Sequence, residues 1–187
     1  MARGSLLGLI LAAMLSMVAP PAAAQAPTPA NPPAPAPAPL TGPVYLISFF
    51  ETAPAAAQKA AGALRDYVSA TRKSDGNTGA VALAETARPD RFALVEVWRD
   101  KPAAEAHGKA LAALRDSVQA LLVAPFDTRF NGGLDVAGPA VGAETAAGGT
   151  SVYVLTHVDV FPAGKDQTIE MLKQLAADSR KEPGNLR

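Results

Sequence analysis

Two histidines, one carboxylate and one tryptophan are the residues on which chemistry could be built. His107 and His157 are the chain's only histidines, and imidazole is the side chain that ordinarily titrates near neutral pH. Glu96 and Trp98 stand two apart in Arg91-Phe92-Ala93-Leu94-Val95-Glu96-Val97-Trp98, so on a strand they share one face. A carboxylate facing an apolar interior has a raised pKa and can serve as a general base; the plainer alternative is a salt bridge from Glu96 to Arg91 or Arg99 at a sheet edge. His107 reads either as a catalytic group or as a solvated helix residue beside Gly108. His157 alternates with Tyr153 and Leu155 on an apolar stretch and reads as a catalyst or as a hydrogen-bonded core histidine. Trp98 is a pocket wall with one N–H donor, or core. Tyr45 and Phe49, on another apolar run, join Trp98 as candidate substrate-binding residues.

The elements that must position these groups occur in a repeat. Shifted by 108 positions (152 − 44 = 108), Val44-Tyr45 recurs as Val152-Tyr153, Pro54-Ala55 as Pro162-Ala163, Arg72-Lys73 as Arg180-Lys181 and Gly76-Asn77 as Gly184-Asn185. This spacing predicts two copies of one module, the second carried only to Arg187. In the first copy, Val44 to Glu51 reads as a strand covered on both faces. Ala53 to Lys73 reads as a helix with Pro54 in its first turn, a stripe at Ala60, Leu64, Tyr67, Val68 and Thr71, and a stop at Ser74-Asp75-Gly76-Asn77. Strands Ala80 to Thr86 and Arg91 to Trp98 follow, turned at Pro89-Asp90. Asp100 caps a helix running to Leu122 with a kink at Gly108, and Phe126 to Phe130 is a fourth strand. The order is βαββαβ, the ferredoxin-like α+β pattern. The second copy predicts a strand at Val152 to Val160 and a helix at Lys165 to Arg180. Since Val44 to Phe50 and Phe92 to Trp98 are apolar on both alternating sets, the sheet face opposite the helices needs cover, which predicts a second sheet.

The remaining segments bound the context. Met1 to Ala24 has Arg3, an apolar run from Leu6 to Val18 and Ala22-Ala23-Ala24, the pattern of a signal peptide, so a periplasmic or secreted location is expected, with membrane attachment only if the signal stays uncleaved. Residues 25–43 form a Pro/Ala-rich spacer expected to be extended and to pack on nothing. The expected domains are residues 44–136, a Gly/Ala linker at 137–151 and the partial repeat at 152–187. Zero formal net charge and the lack of a basic tract exclude nucleic acid as a partner. Without cysteine, an exported chain holds together by packing alone.

Arg91 to Asp100, followed by Ala103-Ala104-Glu105-Ala106-His107, resembles the strand–helix signature of the antibiotic biosynthesis monooxygenase (ABM) domain, a dimeric α+β barrel. In that family an E-x-W or E-x-Y strand end precedes an acidic helix start and an A-x-x-x-H run. Glu182-Pro183-Gly184-Asn185 is similar to the family's E-P-G turn. The resemblance implies a cleft between helices and sheet in which some members oxidise quinol-like phenols with O2 and no cofactor. It also implies a small aromatic or apolar ligand, and pairing either as a homodimer or as an intramolecular pseudo-dimer. His107 falls on the family's histidine position, and His157 matches a pocket-facing polar residue of haem-degrading relatives. Some of those relatives carry a further histidine about ten residues beyond the His107 position; Asp116 to Ala120 has none, which argues against haem degradation, and the signature contains no metal motif. A non-catalytic module binding an apolar molecule or partner is the alternative reading.

Overall fold

The computed structural model describes residues 40–143 and 151–186. The signal-peptide segment and most of the Pro/Ala-rich spacer lie outside the described residues, as does the end of the Gly/Ala linker. Among the described residues eight strands and α-helices follow one another: β1 (Val44–Glu51), α1 (Ala57–Thr71), β2 (Asn77–Ala84), β3 (Arg91–Trp98), α2 (Lys101–Ala106), α3 (Gly108–Val118), β4 (Asp127–Gly132) and α4 (Lys165–Ser179). The first seven form the expected βαββαβ unit, the second crossover helix being split in two. Its sheet is antiparallel throughout in the order β2-β3-β1-β4.

Both crossover helices lie on one side of this sheet, as one hydrophobic stripe per helix requires. Ala60, Leu64 and Val68 of α1 and Leu111, Leu114 and Val118 of α3 pack against Leu46 and Phe50 of β1, Ala80 of β2 and Phe92, Leu94 and Trp98 of β3. Burying a leucine such as Leu64 stabilises the fold by about 1.5–3 kcal/mol.

Two turns bring the ends of α1 and α2 together. Gly76 has φ +78, a left-handed conformation that glycine adopts without steric cost. Its carbonyl accepts the Arg99 N–H at 2.8 Å, and a Cβ placed there would lie 2.6 Å from the Ala103 Cβ. Asp100 then caps α2, accepting the Ala103 N–H at 2.8 Å, with Pro102 at the helix start. The expected kink is a full break one residue earlier: His107 ends α2 and begins α3, and its carbonyl accepts from Ala110 at 2.9 Å.

On the opposite, open side of the sheet, Val81, Val95 and Val97 form a second apolar cluster. Among the described residues no second sheet covers it. Val141, from the segment predicted to be a bare linker, and Tyr153 pack there instead, with the Gly142 N–H donating to the Tyr153 hydroxyl at 3.1 Å. The predicted strand Val152–Val160 is likewise corrected: this stretch joins no strand ladder. Its alternation is that of a strand, but a strand needs a neighbour's edge for its N–H and C=O groups, and the segment instead reaches the open face through side chains. Val152 and Val154 on the alternate positions stay exposed. Helix α4 forms as predicted and has no fully buried residue; Arg180, just past its end, pairs with Asp135 at 2.6 Å.

Candidate functional site

Strand pairing decides which candidate residues can meet. In the β1–β3 register Val44 lies opposite Trp98 and Leu46 opposite Glu96, so the even-numbered residues of both strands face the helices. Glu96 and Trp98 therefore point toward α1 and α2, and both are completely buried. Tyr45 and Phe49, of the other parity, face the open side. His157 is there too, half exposed, against the Arg129 guanidinium at 2.6 Å and Asp159 at 2.9 Å. The six candidates thus divide between two faces: Glu96, Trp98 and His107 together, and Tyr45, Phe49 and His157 apart from them.

Around Glu96 the arrangement is convergent. The Tyr67 hydroxyl donates to Glu96 Oε1 at 3.1 Å, and the Trp98 indole N–H donates to Oε2 at 3.1 Å. The salt bridge to Arg91 or Arg99 does not form; Arg91 pairs with Glu51 and Glu85, and Arg99 with Asp75 and Asp100. The His107 ring lies 4.7 Å from that of Trp98 and 5.6 Å from that of Tyr67. Its Nε2 meets the buried Thr71 hydroxyl at 3.1 Å. Tyr67 and Thr71 are four apart on α1, one turn, and so form one wall. Sequence reading placed both in the core stripe and missed their polar ends. The signal available was an O–H at two of the five stripe positions, since a buried hydroxyl requires a partner.

Electrostatics follow from this burial. Loss of water raises the Glu96 pKa to about 7, although the Tyr67 and Trp98 hydrogen bonds to the carboxylate pull the other way. Burial, with the Glu96 carboxylate beside it, pushes the Tyr67 phenol above its ordinary value. Tyr67 therefore stays protonated as a donor. Burial lowers the His107 pKa, favouring a neutral imidazole. The cluster is thus a carboxyl group poised near neutrality, two donors aimed at it, and a neutral imidazole tilted by 39° against the Trp98 indole. Such a group can take a proton from a weak acid. Among the described residues, no group of three or more His, Asp and Glu side chains is placed to hold a metal ion.

Two clefts lie elsewhere, both on the open side. One, of about 480 Å³, is lined in part by Phe49, Leu83, Ala93, Tyr153 and Leu155. The other runs beside Tyr45, Ile47, Val141 and Tyr153. Neither is lined by Glu96, Trp98, Tyr67 or His107.

Comparison with known proteins finds a family model that matches part of this unit. Residues 43–115 match the model of the antibiotic biosynthesis monooxygenase (ABM) family, from just before β1 to the last turn of α3. Among solved structures, a Nitrosomonas europaea protein named for the same family is 23% identical, with TM-score 0.48, over 52% of this chain and 97% of its own. The Rv0793 protein of Mycobacterium tuberculosis is 24% identical, with TM-score 0.47, over 51% of this chain and 99% of its own. The PA3566 protein of Pseudomonas aeruginosa is 24% identical, with TM-score 0.43, over 49% of this chain and 96% of its own. No curated protein matches the chain.

Proposed function

We propose, from the match of residues 43–115 to the ABM family model, a monooxygenase that oxidises a small quinol-like aromatic with O2 and without a cofactor. The observation that carries the reading is Glu96: fully buried, held by the Tyr67 and Trp98 donors at 3.1 Å each, with a pKa near 7. A phenol entering beside Tyr67 and His107, the two partly exposed members of the cluster, gives up its proton to the Glu96 carboxylate. The resulting electron-rich anion reduces O2; one oxygen atom enters the substrate and the other leaves as water with the two hydrogens the substrate loses. His107 and Trp98, their rings inclined at 39° to one another, wall the space for the substrate ring, and Tyr67 returns a hydrogen bond to whichever oxygen carries charge. Oxygen uptake with a panel of quinols, wild type against Glu96→Gln and His107→Ala, tests this. A panel that the wild type leaves unconsumed ends the enzyme reading for those substrates.

The location of the clefts favours a second reading, a non-catalytic module that holds an apolar molecule on the open face of the sheet. Both readings include export through the Met1–Ala24 signal, tested by sequencing the N-terminus of protein recovered from cell fractions. Both also include the pairing expected of the family, as a homodimer or as an intramolecular pseudo-dimer, which sedimentation of the full chain measures.

A further inference from the structure

Complete burial leaves the Glu96 carboxyl without direct contact with water. A base must be ionised before it can take a proton, so a carboxyl group inside the protein needs a path along which its own proton leaves. The hydrogen bonds of the cluster point along one. The Tyr67 hydroxyl donates to Glu96 Oε1 at 3.1 Å, and His107 Nε2 meets the Thr71 hydroxyl at 3.1 Å. Tyr67 and Thr71 stand one turn apart on the same face of α1, where the Thr71 hydroxyl also serves the Tyr67 phenol oxygen as a donor. Thr71 is completely buried, so its hydroxyl must be satisfied within the protein. His107, at the far end, is partly exposed.

The surroundings offer the Glu96 proton few other partners. Strands β1 and β2 set Leu46 and Ala80 opposite Glu96, and Arg91 and Arg99 are engaged with other carboxylates. Among the described residues this leaves Tyr67 of α1 and His107 of the α2–α3 break as the titratable side chains of the cluster beside Glu96 itself. All of these groups lie within residues 67–107 on the helix-covered side of the sheet, so the arrangement does not depend on what covers the open face. The repeat supports a role confined to the first copy. At 108 positions on, Ser179 keeps a hydroxyl where Thr71 has one, but Leu175 stands in the place of Tyr67.

We infer that Thr71 is a positioning residue that links Tyr67 to His107 and so completes a proton path from the buried Glu96 carboxyl to the partly exposed imidazole. In the direction of ionisation, Glu96 passes its proton to the Tyr67 oxygen, the Tyr67 hydroxyl hydrogen passes to Thr71, that of Thr71 passes to His107 Nε2, and the hydrogen on Nδ1 leaves to water. Each hydroxyl keeps one hydrogen, the imidazole is neutral before and after, and one proton has left the cluster. What changes at the far end is the tautomer. The ring carries Nδ1–H while Glu96 is protonated and Nε2–H once it is ionised, with every donor then aimed toward the carboxylate. The catalytic use of this path rests on the oxidase reading, whereas the path itself is tested without substrate and stands or falls separately.

The test is NMR of the 15N-labelled full chain titrated through neutral pH, which reads both ends of the path. Trp98 is the only tryptophan, and its indole N–H, donating to Glu96 Oε2, reports the ionisation of the carboxyl. The ring nitrogens of His107 are told from those of His157 with His157→Ala. Tautomer exchange moves Nδ1 and Nε2 in opposite directions, whereas protonation of the ring brings them together. Expected is opposite movement of the two His107 nitrogens at the midpoint of the Trp98 indole, lost in Thr71→Val and in Tyr67→Phe and restored in Thr71→Ser. Unchanged amide resonances in β1 and β3 show that a variant is folded, and Tyr67→Phe carries the comparison if Thr71→Val is not. Opposite movement absent from the wild type would overturn the proposal. Opposite movement that survives in Thr71→Val would do so as well, because the hydroxyl would then be dispensable, as would Thr71→Ser behaving like Thr71→Val. An indole resonance that does not titrate would also overturn it, since the path would have no proton to carry.

Discussion

Replacing Glu96 by glutamine separates the cost of the buried charge from everything else the side chain does. In the folded protein this carboxyl titrates at about 7 instead of an ordinary 4.5, which at 1.36 kcal/mol per tenfold corresponds to about 3 kcal/mol. The sign follows from linkage. Below pH 4.5 the group is protonated folded and unfolded, and its ionisation costs nothing. Between 4.5 and 7 the unfolded chain ionises while the folded one holds its proton, so stability falls as pH rises. Above 7 both are ionised and the loss is complete. Glutamine carries no charge and shows no such fall. It cannot accept equally well from both Tyr67 and Trp98, which adds a cost of about 1 kcal/mol, but that cost is the same at every pH. The prediction therefore concerns a difference of differences: measured by urea unfolding, Glu96→Gln gains about 2.5 kcal/mol on wild type between pH 5 and pH 8, the rest of the loss falling below pH 5. A gap between the two proteins that stays constant over that range would refute the argument that burial holds Glu96 near neutrality.

Other outcomes are expected from the same geometry. Tyr67→Phe removes a donor that stabilises the Glu96 carboxylate, so the midpoint of any pH–rate profile moves alkaline; an acid shift would contradict the assigned hydrogen bond. Leu64→Ala, at a position 1% exposed beneath α1, costs about 2–5 kcal/mol in unfolding experiments. His157→Ala leaves quinol turnover unchanged, because His157 lies on the other side of the sheet from Glu96. Amide hydrogens of Val152, Val154 and Val158 exchange faster than those of β1, since the segment joins no ladder; protection equal to β1 would show a strand pairing that this structure lacks.

What could be read from the chain divides along local and long-range lines. The order βαββαβ, the helix stripe from Ala60 to Thr71, the Asp100 cap and the Gly76 stop are all set by neighbours within a turn or two, and they appear where the residues indicate. Boundaries moved where local signals were weak: β2 begins at Asn77, three residues ahead of the expected Ala80, because the Gly76 turn leads straight into pairing with β3. Grouping Glu96 with Trp98 needed only alternation. Grouping them with Tyr45 and Phe49 required the β1–β3 register, and that register sets Val44 and Leu46 opposite them instead. Tyr67 lies 29 residues from Glu96 in sequence, so its hydrogen bond depends on how α1 crosses the sheet. The same limit applies to Val152–Val160, whose alternation is real but whose pairing depended on strands it does not meet.

The central claim is that Glu96 is the base of an O2-dependent oxidation, and oxygen consumption with an electron-rich quinol as a function of pH tests it most directly. The account predicts a wild-type rate that rises with pH through a midpoint near 7 and a Glu96→Gln rate lower by at least about a hundredfold, the lower end of what a positioned base contributes. Oxygen uptake in Glu96→Gln equal to wild type, with the same pH profile, would contradict it.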